Sequence, residues 1–315
     1  MNEPTEGELS VAGGTLRVLR FGGGPLTAIA AHGITASGMS FRAVARHLPA
    51  EWSMYALDLR GRGGSAAVPG PYGIDRHAAD VCRAAEEFGH GRPVALTGQS
   101  LGAYVALRAA ADRPGLFDRL LLVDGGLPLR VPEGADVDTL LDHTLGPAIA
   151  RLGRTYSDDR AYVEFFRTHP ALRADWNEDI EAYVRYDLTG AQGTRRSRAR
   201  EDAVRQDGRD LLGSADTVSG DLGRLDVPTL LLHAPLGLLG QEPPMLPSEL
   251  VDHWAGHVPC LETELIEGSN HYTILMGRYA KTVAERLVSP RQMQYENRPR
   301  KHPQGPGRGG ASFAP

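Results

Sequence analysis

Val94-Ala95-Leu96-Thr97-Gly98-Gln99-Ser100-Leu101-Gly102 is the stretch on which the fold turns. Residues 94–97 are a short apolar run closed by glycine, the pattern of a buried strand, and residues 101–111 carry helical periodicity. Ser100 stands between them with a glycine two places away on either side. A strand that passes at once into a helix strains its turn residue and crowds the backbone around it, so both flanking positions call for glycine. The serine of such a G-x-S-x-G turn is held out at the strand end. The first N–H groups of the helix lie beside it, and these favour developing negative charge. A serine that merely caps an ordinary helix is the plainer alternative.

Outward from this turn the same alternation repeats. Residues 26–31, 52–59 and 120–123 read as buried strands, and 74–88 as a helix whose Ile74, Ala78, Val81, Cys82, Ala85 and Phe88 share one face. Residues 9–21 alternate around Gly13-Gly14 as an opening hairpin, and Gly22-Gly23-Gly24 joins two strands and opens no helix, so it is no dinucleotide fingerprint. From 127 to about 225 the alternation stops. Helical stretches rich in aromatics and charge replace it, including Tyr162, Phe165, Phe166, Trp176, Tyr183 and Tyr186, which are expected to pack an inserted segment. Alternation resumes with a strand at 227–233, a helix at 248–255, a strand at 261–266 and a helix at 273–287. The pattern predicts an α/β fold: a mostly parallel eight-stranded sheet with helices on both faces. Its core would be 1–126 and 227–290, with a helical cap inserted at 127–226. Residues 291–315, rich in Gly, Pro and Arg, are expected to form a flexible tail.

Composition narrows the function classes. With 315 residues, 41% hydrophobic and 23% charged, the chain can bury a sizeable core. A net charge of -5 gives no strong field of either sign, which argues against nucleic acid or an anionic membrane as the main partner. No apolar run approaches a membrane span, and the acidic, polar start is no secretory signal, so a cytoplasmic location is expected. Cys82 and Cys260 are far apart and read as buried thiols. No metal-ligand spacing or P-loop is present, and no cofactor is expected.

On these motifs the chain resembles the α/β-hydrolase family from about residue 9 to residue 289. His32-Gly33 after the strand 26–31 is similar to that family's oxyanion loop, and Asp58-Leu59-Arg60-Gly61-Arg62-Gly63-Gly64-Ser65 looks like its D-x-R-G-x-G-x-S turn, read here as architectural. The resemblance implies backbone N–H donors at Ile34 and Leu101, and it makes His32 a residue that fixes its loop. His271, in Gly268-Ser269-Asn270-His271-Tyr272 between the last strand and last helix, is where the family keeps its general base. An imidazole titrating near neutrality suits that role. His77, His143 and His253 lie on helices or in the insertion and read as surface or packing residues.

The acid that orients His271 departs from the common pattern. The loop after strand 227–233 has no aspartate, and Glu242 is its only carboxylate. Asp124, in Leu122-Val123-Asp124-Gly125-Gly126, lies after the strand that follows the nucleophile helix, a place some family members use, and it is taken as the acid, with Glu242 as the alternative. A turn role is the alternative for Asp124. Arg195, Arg196, Arg198 and Arg200 read as a solvated helix face balanced by Glu201 and Asp202, with contact to an anionic substrate group as the sharper alternative. The tail's Arg298, Arg300, Lys301 and Arg308 read as solvated. The resemblance implies a serine hydrolase acting on a small carbonyl substrate, a carboxylic ester or lactone. Behind that stand a thioesterase or carbon-carbon bond hydrolase, and a non-catalytic small-molecule-binding homologue.

Overall fold

A computed structural model describes residues 3–129, 131–132 and 134–288; the tail 291–315 lies outside them. Ten strands are present among the described residues: β1 (Thr5–Val11), β2 (Gly14–Gly22), β3 (Leu26–Ala31), β4 (Trp52–Leu57), β5 (Val94–Gln99), β6 (Phe117–Val123), β7 (Leu188–Thr189), β8 (Arg196–Ser197), β9 (Thr229–His233) and β10 (Leu261–Leu265). Eight form one sheet in the order β1-β2-β4-β3-β5-β6-β9-β10, and β7-β8 form a separate two-stranded ribbon. The β1-β2 hairpin and the β2-β4 pair are antiparallel; from β4 onward every pairing is parallel.

Helices cover both faces, which is why the parallel strands are apolar on successive residues. In β3, Ile29 and Ala31 pack with one core while Ala28 and Ala30 pack with the other. The first core lies under α2 (Ile74–Phe88) and α3 (Leu101–Asp112). The second lies under α1 (Arg42–Ala45) and the closing helices. The apolar face read on α2 is buried as expected, and Phe88 at its end stacks on Tyr55 with ring centroids 4.2 Å apart.

Between β6 and β9 lie α4 (Val137–Leu152), α5 (Asp159–Arg167), α6 (Glu178–Tyr186), the β7-β8 ribbon, α7 (Glu201–Leu212) and α8 (Ala215–Arg224). Side chains fix the starts of three of these helices. Asp136, Asp158 and Asn177 accept from the N–H groups of Thr139, Ala161 and Ile180. The aromatics of this insertion pack together, Tyr162 against Phe166 and Tyr156 at right angles to Tyr162. A buried polar knot lies among them: Arg151 Nη1 donates to Asp187 Oδ2 at 2.9 Å, and Ser197 Oγ donates to the same oxygen at 2.7 Å.

Two local expectations need correction. The arginines at 195–200 are not a helix face. Arg196 and Ser197 form β8, and α7 starts only at Glu201. Gly190 and Gly193, both at positive φ, turn the chain back so that Thr189 pairs with Arg196. The last helix is also broken after β10 and α9 (Ser248–His257). It consists of α10 (Thr273–Met276) and α11 (Ala280–Val288), because Gly277 takes an extended conformation and ends the first segment.

Candidate active site

The carboxyl ends of β3, β5, β6 and β9, together with the loop after β10, converge on Ser100. The chain passes from β5 to α3 with Ser100 at φ 55°, ψ -124°, a left-handed conformation that costs a non-glycine residue on the order of 1–3 kcal/mol and persists only where the surroundings enforce it. They do so by close packing. A Cβ on Gly98 would come within 1.9 Å of Gly102 O, and one on Gly102 within 2.0 Å of Ala31 O. The backbone is pinned as well: Ser100 N donates to Val123 O at 3.0 Å.

Asp124 and His271 are brought together. His271 Nδ1 lies 2.6 Å from Asp124 Oδ2, with both side chains almost completely buried. The other carboxylate oxygen, Oδ1, accepts the N–H of Ala234 at 3.1 Å, and Asp124 N donates to Leu232 O at 2.8 Å. Because the carboxylate can only accept, Nδ1 carries the imidazole proton and Nε2 keeps its lone pair. Asp124 itself sits at φ 48°, so its backbone is strained toward this geometry.

The loop that follows β9 supplies backbone groups in place of an acid. Besides the Ala234 N–H, Leu236 O accepts from His271 N at 3.1 Å. Glu242 is exposed and makes no hydrogen bond or ion pair with His271, whose Nδ1 is taken by Asp124. Asn270 completes the fastening. Its Oδ1 accepts from Tyr272 N and Thr273 N, and its Nδ2 donates to Ala171 O of the insertion at 2.9 Å.

Gln99 is a residue that the sequence reading passed over as the variable position of the turn. Its side chain is buried, Nε2 donates to His271 O at 3.0 Å and stands 3.3 Å from His271 Nε2, and Oε1 lies where a Cβ on Gly33 would come within 2.7 Å. It therefore bridges the loop after β3 and the imidazole. Only its place beside Ser100 in sequence hinted at this.

His32 fixes its loop. The N–H of Leu59 donates to His32 Nε2 at 3.0 Å, so Nδ1 holds the proton and donates to Gly33 O at 2.8 Å. Complete burial pushes its pKa down to about 3, which keeps the ring neutral. Ile34 follows in that loop, and Arg62 Nε donates to its carbonyl at 3.0 Å. Leu101 is the first residue of α3, so its N–H has no carbonyl one turn back within the helix.

The turn after β4 ties the insertion to the core. Asp58 accepts from Gly38 N at 2.7 Å, Gly64 N at 2.6 Å and Tyr186 Oη at 2.6 Å; burial pushes its carboxyl up to about 6 against those donors. Arg60 forks onto Asp80, and Arg62 Nη1 lies 2.5 Å from Asp207 of α7. Asp207 also meets His77 Nε2 at 3.0 Å. Burial opposes its ionisation, but Arg62 and His77 beside it hold the carboxyl down to about 2. His77 is thus a buried packing residue. Cys82 and Cys260 are both buried and unpaired.

Among the described residues no cluster of three or more His, Cys, Asp or Glu is placed to hold a metal, and no helix is long and apolar enough to cross a membrane.

Comparison with known proteins agrees with this architecture. The chain is 36% identical over 184 residues to Lipase LipV of Mycobacterium tuberculosis, a match covering 54% of this chain and 69% of the lipase. It is 34% identical over 183 residues to N-formylmaleamate deformylase of Pseudomonas putida, covering 54% of this chain and 63% of the deformylase. Among solved structures, the thioesterase domain from the curacin biosynthetic pathway superposes with a TM-score of 0.73 at 21% identity, covering 91% of this chain and 99% of that one. E-2-(acetamidomethylene)succinate hydrolase superposes with a TM-score of 0.75 at 20% identity over 90% of this chain and 99% of that one. These two share the fold. The family model for the alpha/beta hydrolase fold matches residues 29–277, and the chain belongs to that family.

Proposed function

We propose that the protein is a serine hydrolase that cleaves a carboxylic ester or lactone through an acyl-enzyme on Ser100. The observation that carries this reading is the 2.6 Å contact between His271 Nδ1 and Asp124 beside a serine held at positive φ. In the proposed reaction His271 Nε2 takes the Ser100 hydroxyl proton as Oγ bonds to the substrate carbonyl carbon. The negative oxygen that results is held by the N–H groups of Ile34 and Leu101. The imidazolium returns its proton to the departing alkoxide oxygen as the carbon-oxygen bond breaks. Water, deprotonated by the same nitrogen, then releases the acid and restores Ser100. Asp124 holds the ring and balances its positive form.

The insertion acts in this reading as a cap over the site, with Asn270 and Asp207 as two of its fastenings to the core. The 36% identity to a lipase supports ester chemistry. Cleavage of an N-formyl amide is the second reading, favoured by the 34% identity to a deformylase. Both use the same residues and differ in the leaving group, an alcohol in one and an amide nitrogen in the other.

Turnover of p-nitrophenyl esters, simple lactones and N-formyl amides by the wild type, set beside Ser100→Ala, tests the proposal. Ester or lactone turnover that vanishes in Ser100→Ala supports it. Turnover of the formyl amides alone moves the reading to the deformylase class, and failure of Ser100 to label with a fluorophosphonate defeats both.

A further inference from the structure

Away from Ser100, a cleft of about 560 Å³ opens where the β7-β8 ribbon meets the turn after β4. Gly63, Gly64, Ala66 and Ala67 form its core side, Leu152 closes one end, and Thr189 with residues 196–200 forms the insertion side. Ser100, Asp124, His271, Ile34 and Leu101 take no part in its lining.

The lining is one-sided in charge. Among the described residues it contains Arg196, Arg198 and Arg200 and no acidic residue. Arg200 is occupied by a two-pronged pair with Asp202. Arg196 and Arg198 have no carboxylate within 4 Å among the described residues, unlike their neighbours Arg195, paired with Asp159, and Arg205, paired with Glu201 and Asp142. Arg198 is held in place by other means. Its Nε donates to Leu188 O at 2.9 Å, and its guanidinium lies over the Tyr186 ring, 5.4 Å from the centroid. That leaves its terminal nitrogens without a hydrogen-bond partner among the described residues. Thr189 is the direct strand partner of Arg196, and among the described residues its hydroxyl makes no hydrogen bond.

We infer that this cleft is a binding site for a small organic anion carrying carboxylate or phosphate oxygens, separate from the Ser100 site. Arg196 and Arg198, neither in a close ion pair among the described residues and the second oriented by a ring and a carbonyl with only the buried Asp58 carboxylate acting on it through space, form the kind of fork that receives such oxygens. The alanine and glycine wall leaves room for the rest of the molecule, and the volume is that of ordinary small-ligand pockets. The site also has a route to the oxyanion loop. Its floor, Gly63-Gly64, follows Arg62, whose Nε holds Ile34 O. Gly64 N and Tyr186 Oη both donate to Asp58. An occupied cleft would brace the insertion against the core at this seam.

Calorimetric titration of the full chain at low salt with succinate, with inorganic phosphate and with neutral succinamide tests the inference. The expected result is saturable binding of succinate, phosphate or both, none of succinamide, and the same affinity in Ser100→Ala. Arg196→Glu, an exposed and unpaired position, should weaken binding by about tenfold or more, and Thr189→Val should weaken it less. Succinate binding alone marks a carboxylate site and phosphate binding alone a phosphate site. No saturable binding by either anion, equal affinity in Arg196→Glu, or loss of binding in Ser100→Ala overturns the inference. None of these results depends on turnover, so failure here leaves the hydrolase reading where it stood.

Discussion

Replacing Asp124 by asparagine keeps the shape of the side chain and should still remove nearly all activity, for a reason visible in its contacts. Oδ1 receives the N–H of Ala234 at 3.1 Å, and that donor is fixed because it belongs to the backbone at the end of β9. The asparagine must therefore keep its carbonyl oxygen on the Ala234 side and turn its NH2 toward His271 Nδ1. A donor facing Nδ1 forces that nitrogen to accept, so the ring proton moves to Nε2, the atom that takes the proton from Ser100 in the proposed reaction. The same tautomer error in a serine protease triad costs about ten-thousandfold in kcat, equivalent to about 5 kcal/mol of barrier. Stability should change little, since both hydrogen bonds remain possible. The assay is initial-rate hydrolysis of p-nitrophenyl butyrate, with thermal melting to confirm the fold and Glu242→Gln as a companion expected to match the wild type. An Asp124→Asn protein whose kcat stays within about tenfold of the wild type refutes the argument.

Three further outcomes are expected. Ser100→Gly should raise stability to urea by on the order of 1 kcal/mol, because glycine adopts φ 55° without strain, while Ser100→Ala should not; equal midpoints for the two would contradict this. Gln99→Ala should lower kcat about tenfold and leave KM nearly unchanged, since its amide holds His271 O; steady-state kinetics would expose the opposite split. Asp207, held down to about 2 in the folded protein, contributes stability that is present above its ordinary value near 4 and is lost as pH falls from about 4 through 2. That contribution is about 2 kcal/mol, and an acid-unfolding curve for Asp207→Asn that keeps the wild-type slope in this window would count against it.

The parallel sheet was legible because a strand segment buried on both faces is apolar on successive residues, as 28–31, 94–96 and 120–123 are, and because two glycines around Ser100 have one structural use. His271 was legible by topology. Sequence favoured Asp124 over Glu242 by its place after β6 but did not close the choice, because that depends on β6 and β9 being neighbours in the sheet, which puts the Ala234 N–H against a carboxylate more than a hundred residues earlier. The β7-β8 ribbon was missed because strands of two residues carry no periodicity, and the arginines on it resemble a solvated helix face. Gln99 was missed because its partners, Gly33 and His271, lie far from it along the chain.

The loop after β9 holds the Asp124–His271 pair through main-chain atoms alone: one N–H at residue 234 and one carbonyl at residue 236. Main-chain groups survive substitution of the side chains they carry. Residues 235–242 are therefore released from the identity constraint that an acid in this loop would impose. Gly237 and Gly240 stay fixed, since a Cβ on the first would come within 2.5 Å of Pro243 O and the second sits at φ 71°, but exposed positions such as Leu239 can change without touching the two main-chain contacts. If the proposed reaction holds, variation at the exposed positions of this loop would leave the partners of Asp124 and His271 in place.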